Sequence, residues 1–142
     1  MSLYVDTSGL VKTVIKEVGS EEAITEIAHH SRHYTCRVTY AEVHAALGLA
    51  HRLQRLTSSQ LAAGQATFDE AWESFLRVDV SEPVVREAGR LAVEMRLRGY
   101  DAVQLAGALA ASRIEPIVLM AWDVQLRDAA RACRLEVFPE GN

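Results

Sequence analysis

The sequence predicts an α/β domain with a central, mainly parallel sheet of four or five strands flanked by helices. Three observations predict it. Short apolar runs alternate with longer stretches of helical periodicity, the order that strand–helix–strand crossovers require. Ile117 to Met120 is apolar at every position, which suits a parallel strand covered on both faces. The 142 residues are 49% hydrophobic and 24% charged, enough for a core and too apolar for disorder, so a single domain over residues 1–142 is expected.

Leu3 to Val5 reads as the first strand, ending at Asp6, and Thr7-Ser8-Gly9 as a turn into a helix that runs from Leu10 to Glu17. Gly19-Ser20 opens a second helix, with Ser20 as N-cap and Ala23, Ile24, Ile27 and Ala28 as its buried stripe. Tyr34 to Val38 is the second strand. Val43, Leu47 and Ala50 repeat at helical spacing between Tyr40 and Leu53. From Ser58 to Phe75, Leu61, Ala62, Phe68, Ala71, Trp72 and Phe75 share an apolar face. These two consecutive helices read as an inserted arm. Leu76 to Val80 is a third strand.

Ser81 and Pro83 open a helix through Met95, with Val84, Val85, Ala88, Leu91, Ala92 and Met95 inward, and Gly99-Tyr100 breaks it. The helix from Ala102 to Ala111 has Gln104 as its one polar side chain and is expected to be buried on most sides. After the strand Ile117 to Met120, a helix from Val124 to Cys133 leads to an edge strand, Leu135 to Phe138.

Charge and cysteine content narrow the function classes. Lys plus Arg is 15 against 19 Asp plus Glu, a net charge of −4, which excludes a strongly basic coat for nucleic acid and leaves local cationic patches. Cys36 and Cys133 form no ligand-spaced cluster and read as buried thiols of a reducing compartment. No run of 18 apolar residues and no leader pattern is present, so a cytoplasmic protein without membrane contact is expected.

Four acids stand out by position. Asp6 follows the first strand, Glu42 lies in the first turn after the second, Asp101 precedes the most apolar helix, and Asp123 follows Ile117–Met120 by two residues beyond Ala121. In an open parallel sheet all four fall near the carboxyl edge, where such folds carry their crevice. Each also has a plain reading as a helix cap: Thr39-x-x-Glu42 and Asp101-x-x-Gln104 have the form of capping boxes, and Asp6 and Asp123 can cap alone. The coincidence of four at one edge favours a site. Converging carboxylates repel, so their pKa values rise or a cation sits among them. Oxygen donors without Cys or His favour Mg²⁺ or Mn²⁺ over Zn²⁺.

The same positions carry a resemblance. Tyr4–Lys12 (YVDTSGLVK), Thr39–Leu47 (TYAEVHAAL), Leu97–Leu109 (LRGYDAVQLAGAL) and Trp122–Pro139 (WDVQLRDAARACRLEVFP) resemble the PIN domain family, in particular the compact VapC-type toxins of toxin–antitoxin pairs. The resemblance implies a three-layer α/β fold and a Mg²⁺- or Mn²⁺-dependent endoribonuclease. Asp6, Glu42, Asp101 and Asp123 match the family's four acids in that order, with Asp6 and Asp101 as the principal metal ligands. Thr7 and Ser8 match hydroxyl residues beside the first acid, and Ser8 is the better candidate for hydrogen-bonding inside the cluster. It further implies an antitoxin partner whose tail brings a basic side chain to the site, and a homodimer. Two departures stand out: Ala121 where many relatives carry Ser or Thr, and Arg134 where many carry Gly.

Rival readings are weaker. A phosphoacceptor receiver needs a Lys after its fifth strand, and both lysines, Lys12 and Lys16, lie near the amino terminus. No GxGxxG or GxxxxGK[ST] is present for a nucleotide. The serious alternative is a non-catalytic RNA-binding or protein-binding module of the same fold. His29, His30 and His33 read as surface groups at a helix end, and His44 and His51 as surface or partner-facing. Thirteen arginines against two lysines offer planar contacts to phosphate. Arg98, three residues before Asp101, is the best placed for RNA, while Arg127, Arg131 and Arg134 read as one face of the last helix. The apolar positions Val43, Leu47, Leu49 and Leu53 are the expected partner groove.

Overall fold

A computed structural model describes residues 1–141. Its elements are β1 (Ser2–Val5), α1 (Thr7–Val14), α2 (Ser20–Ala28), β2 (His33–Cys36), α3 (Val38–Arg52), α4 (Ser58–Trp72), β3 (Leu76–Val78), α5 (Glu82–Glu94), α6 (Gly99–Ser112), β4 (Ile117–Met120), α7 (Val124–Ala132) and β5 (Glu136–Phe138). The strands form one sheet in the order β3-β2-β1-β4-β5, and all four pairings are parallel. The expected sheet is therefore present, with β1 at its centre.

Side chains alternate across the sheet with the period of two that a strand imposes. Tyr4 and Leu119 point to the layer of α5, α6 and α7, where they pack with Leu91, Leu105 and Leu126. Leu3, Val5 and Met120 point to the opposite layer and meet Leu10, Val43, Leu47, Phe68 and Trp72. The result is three layers with a core on each face of the sheet. The helices α3 and α4 are thus not an inserted arm: together with α1 and α2 they cover one face. Among the described residues no helix is long and apolar enough to cross a membrane.

Several local expectations are corrected. Thr7-Ser8-Gly9 is the first turn of α1, not a turn before it, because the Asp6 carboxylate caps the helix through the Gly9 amide at 2.9 Å. That helix ends at Val14, and its cap residue Ile15 is extended. Gly19, at φ 93°, precedes α2 in place of Ser20 as cap, and Ser20 turns its hydroxyl back to Glu17 and Ile15. Of the stripe expected on α2, Ala23 is buried and Ile27 partly so, whereas Ile24 and Ala28 are exposed. Val85 on α5 and Ala62 and Ala71 on α4 are exposed as well. Helix α5 ends at Glu94, so Gly99-Tyr100 does not break it and instead begins α6. The second and third strands end at Cys36 and Val78, two residues short of expectation.

Candidate active site

The carboxyl ends of β1 and β4 and the first turns of α3 and α6 meet at a crevice of about 220 Å³. It is lined by Asp6, Thr7, Ser8, Glu42, Arg98, Tyr100, Asp101, Gln104 and Asp123. All four acids singled out from the sequence therefore face one space.

Each arrives by a local rule. Asp6 and Asp123 are N-caps of α1 and α7, accepting from Gly9 and Leu126 amides at 2.9 Å each. Capping and site membership coexist in these two residues. Glu42 and Asp101 are not caps. Arg37 and Arg98 stand at the N-cap positions of α3 and α6 without side-chain caps, so neither capping box forms. The Glu42 carboxylate turns inward instead, accepting from Thr7 Oγ1 at 2.7 Å and Gln104 Nε2 at 3.1 Å, both at Oε1.

Asp6 is 4% exposed, and burial pushes its pKa up to about 7. The Ser8 hydroxyl at 2.7 Å and the Gly9 amide pull it down, while Asp101 and Glu42 add repulsion. Ser8 in turn accepts from the Trp122 amide at 3.0 Å, tying the end of β4 to the start of α1. Burial also raises Asp101, against which the Arg98 guanidinium acts at 3.1 Å. Arg98 reaches Asp123 at 3.5 Å and lies 4.8 Å from the Tyr100 ring centre. This arginine thus bridges two of the acids.

Among the described residues, no three His, Cys, Asp or Glu side chains lie close enough to chelate one ion as they stand. The donor chemistry nevertheless fits a hard cation. Four carboxylates share the crevice, only neutral groups donate to Asp6, and no donor among the described residues reaches Asp6 Oδ2 or Glu42 Oε2.

Other candidates are redistributed. Arg127 is 3% exposed, so it does not belong to a solvent face. Its guanidinium donates to the carbonyls of Ala121 and Trp122 at 2.9 Å each and of Gly141 at 3.1 Å, bracing the loop that leads to Asp123. Its Nε is the one buried side-chain nitrogen or oxygen without a partner among the described residues. Arg131 bonds Asp128 and the Glu140 carbonyl. His30 is held by the Met1 carbonyl and Glu26, and His44 by Asp69 at 2.9 Å. Cys36 and Cys133 are free thiols, the first buried and the second partly so. Val43 and Leu47 are core and unavailable to a partner, while Leu49 and Leu53 are exposed. Sequence reasoning missed Gln104 as a site residue, although its being the one polar side chain in an apolar helical stretch was the available signal.

The all-parallel sheet with acids gathered at its carboxyl edge fits a PIN-type domain, and the chain belongs to the PIN domain family, which it matches over residues 3–131. Within that family it is similar to Ribonuclease VapC49 of Mycobacterium tuberculosis (strain ATCC 25618 / H37Rv), 36% identical over 138 residues, 96% of this chain and 94% of the relative. Among solved structures it resembles FitAcB from Neisseria gonorrhoeae, at TM-score 0.73 and 15% identity over 99% of this chain and 98% of that one. A toxin-antitoxin complex from Klebsiella pneumoniae matches at TM-score 0.66 and 17% identity, covering 88% and 89% respectively. At these identities the solved structures speak for the fold.

Proposed function

We propose that residues 1–142 act as a single-domain, metal-dependent endoribonuclease, the toxin of a type II toxin–antitoxin pair. The observation that carries the reading is the convergence of Asp6, Glu42, Asp101 and Asp123 on one crevice. The similarity to a VapC ribonuclease supports the substrate class. Asp6 and Asp101 would be the principal ligands of Mg²⁺ or Mn²⁺, with Glu42 and Asp123 completing the set. When bound, the cation supplies an activated water and offsets phosphodiester charge.

The chain's own groups do the rest. Ser8 holds the Asp6 carboxylate by its Oδ1 and leaves Oδ2 open. Arg98, whose side chain is 60% exposed, can swing away from its two carboxylates and offer its guanidinium to an RNA phosphate. The partner is an antitoxin, and two adjoining clefts suit it. One, of about 410 Å³, includes Lys16, Arg55 and Gln60, and an apolar one of about 230 Å³ includes Ile24, Ile27 and Phe75. A basic residue of that partner would meet the same acids that Arg98 now meets. A homodimer in the cytoplasm completes the reading.

Asp6→Asn and Asp101→Asn should each abolish RNA cleavage with the circular dichroism of the fold retained. Cleavage by wild type that survives exhaustive chelation would sink the metal-dependent reading. The Arg98 bridge across Asp101 and Asp123 favours a second reading, an RNA- or protein-binding module with a closed acid site. Binding of RNA without cleavage at millimolar Mn²⁺ would select it.

A further inference from the structure

Gln104 is 2% exposed in the interior of α6, where its neighbours Val103, Leu105 and Ala106 are apolar. Its amide touches four polar groups. Tyr4 Oη lies 2.9 Å from Oε1, while Nε2 lies 2.9 Å from Thr39 Oγ1, 3.1 Å from Glu42 Oε1 and 3.2 Å from Thr7 Oγ1. Counting protons fixes the direction of every bond. Thr35 spends its one hydroxyl proton on the Val5 carbonyl at 2.7 Å, so the 3.0 Å contact between Thr35 and Thr39 is a donation from Thr39. Thr39 can then only accept from Gln104. Thr7 gives its proton to Glu42, so it too accepts from the amide. One N–H of Gln104 therefore serves Thr39, and the other is shared between Thr7 and Glu42.

At the far end, the fully buried Tyr4 hydroxyl donates to Oε1 and sets which end of the amide faces Glu42. A flipped amide would turn its oxygen on a carboxylate oxygen 3.1 Å away. Gly107, one turn further along α6, makes room for that hydroxyl, since a Cβ there would lie 2.6 Å from Tyr4 Oη. Donors from α1 and α6 thus clamp one carboxylate oxygen of a residue carried by α3, and Glu42 Oε2 is left without a donor among the described residues.

We infer that Gln104, oriented by Tyr4, is a positioning residue that fixes Glu42 so that Oε2 is the oxygen turned over to the cation and its water. The inference rests on the ribonuclease reading above. It attributes to Gln104 an effect exerted through Glu42 and not merely satisfaction of the Thr39 hydroxyl.

The test uses the full chain, with Mn²⁺ alone as the calorimetric probe and a labelled random-sequence single-stranded RNA as the kinetic one. Gln104→Met removes the amide at similar length, and Gln104→Leu removes it with a more compact apolar side chain. Each should fold by circular dichroism, weaken Mn²⁺ binding about tenfold and lower kcat roughly 10–100-fold with KM for RNA unchanged. In a Glu42→Ala background, Gln104→Met should change either quantity by no more than about twofold, because the residue through which it acts is gone. Wild-type values in Gln104→Met, or a full additional loss on Glu42→Ala, would overturn the inference. If both Gln104 variants fail to fold, Tyr4→Phe decides, since it keeps the buried ring and removes only the hydroxyl that orients the Gln104 amide toward Glu42. The same Glu42-dependent loss supports the inference, and no loss overturns it. Failure of the ribonuclease reading shows separately, in wild type that binds Mn²⁺ but cuts no RNA, and the Mn²⁺ titrations then still decide the role of Gln104. Wild type that neither binds Mn²⁺ nor cuts RNA overturns both.

Discussion

The two carboxylate oxygens of Asp6 stand in different settings. Oδ1 caps α1 and takes the Ser8 hydroxyl, which accounts for its place in the fold, while its burial raises the pKa to about 7. The sign of the resulting pH effect follows from linkage. A folded pKa above the unfolded one contributes stability that is complete at low pH and is lost as pH rises from about 4 through about 7. Asparagine caps a helix as well as aspartate does and carries no charge. In chelator, Asp6→Asn should therefore melt above wild type by roughly 5–10 °C at pH 8, with the difference vanishing near pH 4. Millimolar Mg²⁺ should raise the wild-type melting temperature and not that of the variant. Coincident metal-free melting curves at pH 8 would mean that the carboxylate carries no such cost. The capping role was legible from the sequence, and so was the clustering. That one residue could satisfy both was not, because a cap uses a single oxygen and the sequence does not say where the other points.

Three helices end in the same way. The residues after the C-caps of α3, α5 and α7 are Gln54, Arg96 and Arg134, at φ 61°, 56° and 66°. In each case the next amide bonds back to a carbonyl five residues earlier: Arg55 to Ala50 at 2.8 Å, Leu97 to Ala92 at 3.1 Å and Leu135 to Ala130 at 3.0 Å. This is the Schellman arrangement, in which glycine is the usual left-handed residue. Placing Gly at each position should stabilise the fold by about 0.5–1 kcal/mol, the backbone strain removed outweighing the extra unfolded-state entropy. The three gains should add in urea titrations, since the sites share no partner; a loss at any of them would contradict the strain argument. The departure at Arg134 is thereby explained as a helix-end strain remote from the acids. The helices themselves were largely legible from periodicity, but their faces were not. Ile24 and Val85 look inward in the pattern and are exposed, because an apolar stripe is wider than the neighbour that covers it. Likewise α3 and α4 have the same pattern in an arm as in a layer, and only the uncovered face of the sheet distinguishes the two.

Over the whole molecule the acids at the two ends of the sheet are compensated to different degrees. The carboxyl end gathers acids with little compensation, and its position was readable because strand ends and helix starts fall in fixed order along an α/β chain. At the amino end the acid Glu115 is well compensated. Glu115, in the connection from α6 to β4, accepts from Ser2 of β1, from Tyr34 of β2, and from Arg32 Nε at 2.7 Å. These partners hold its pKa down to about 2, with the Ser2 hydroxyl the largest cause, then Tyr34 and Arg32. Nothing in the sequence announced this, since the contacts to Ser2 and Tyr34 span 113 and 81 residues and Glu115 belongs to no motif. Its linkage has the reverse sign to that of Asp6. A depressed folded pKa contributes stability above the unfolded value, about 4.5, and loses it as pH falls to about 2. Glu115→Gln keeps the shape and removes the charge, so it should melt below wild type at pH 7. The gap should narrow below pH 5 and close near pH 2, while the RNA-cleavage rate at neutral pH stays at the wild-type value. A gap of constant size across that range would assign the loss to altered packing of the amide and not to the ionised carboxylate that joins β1, β2 and β4.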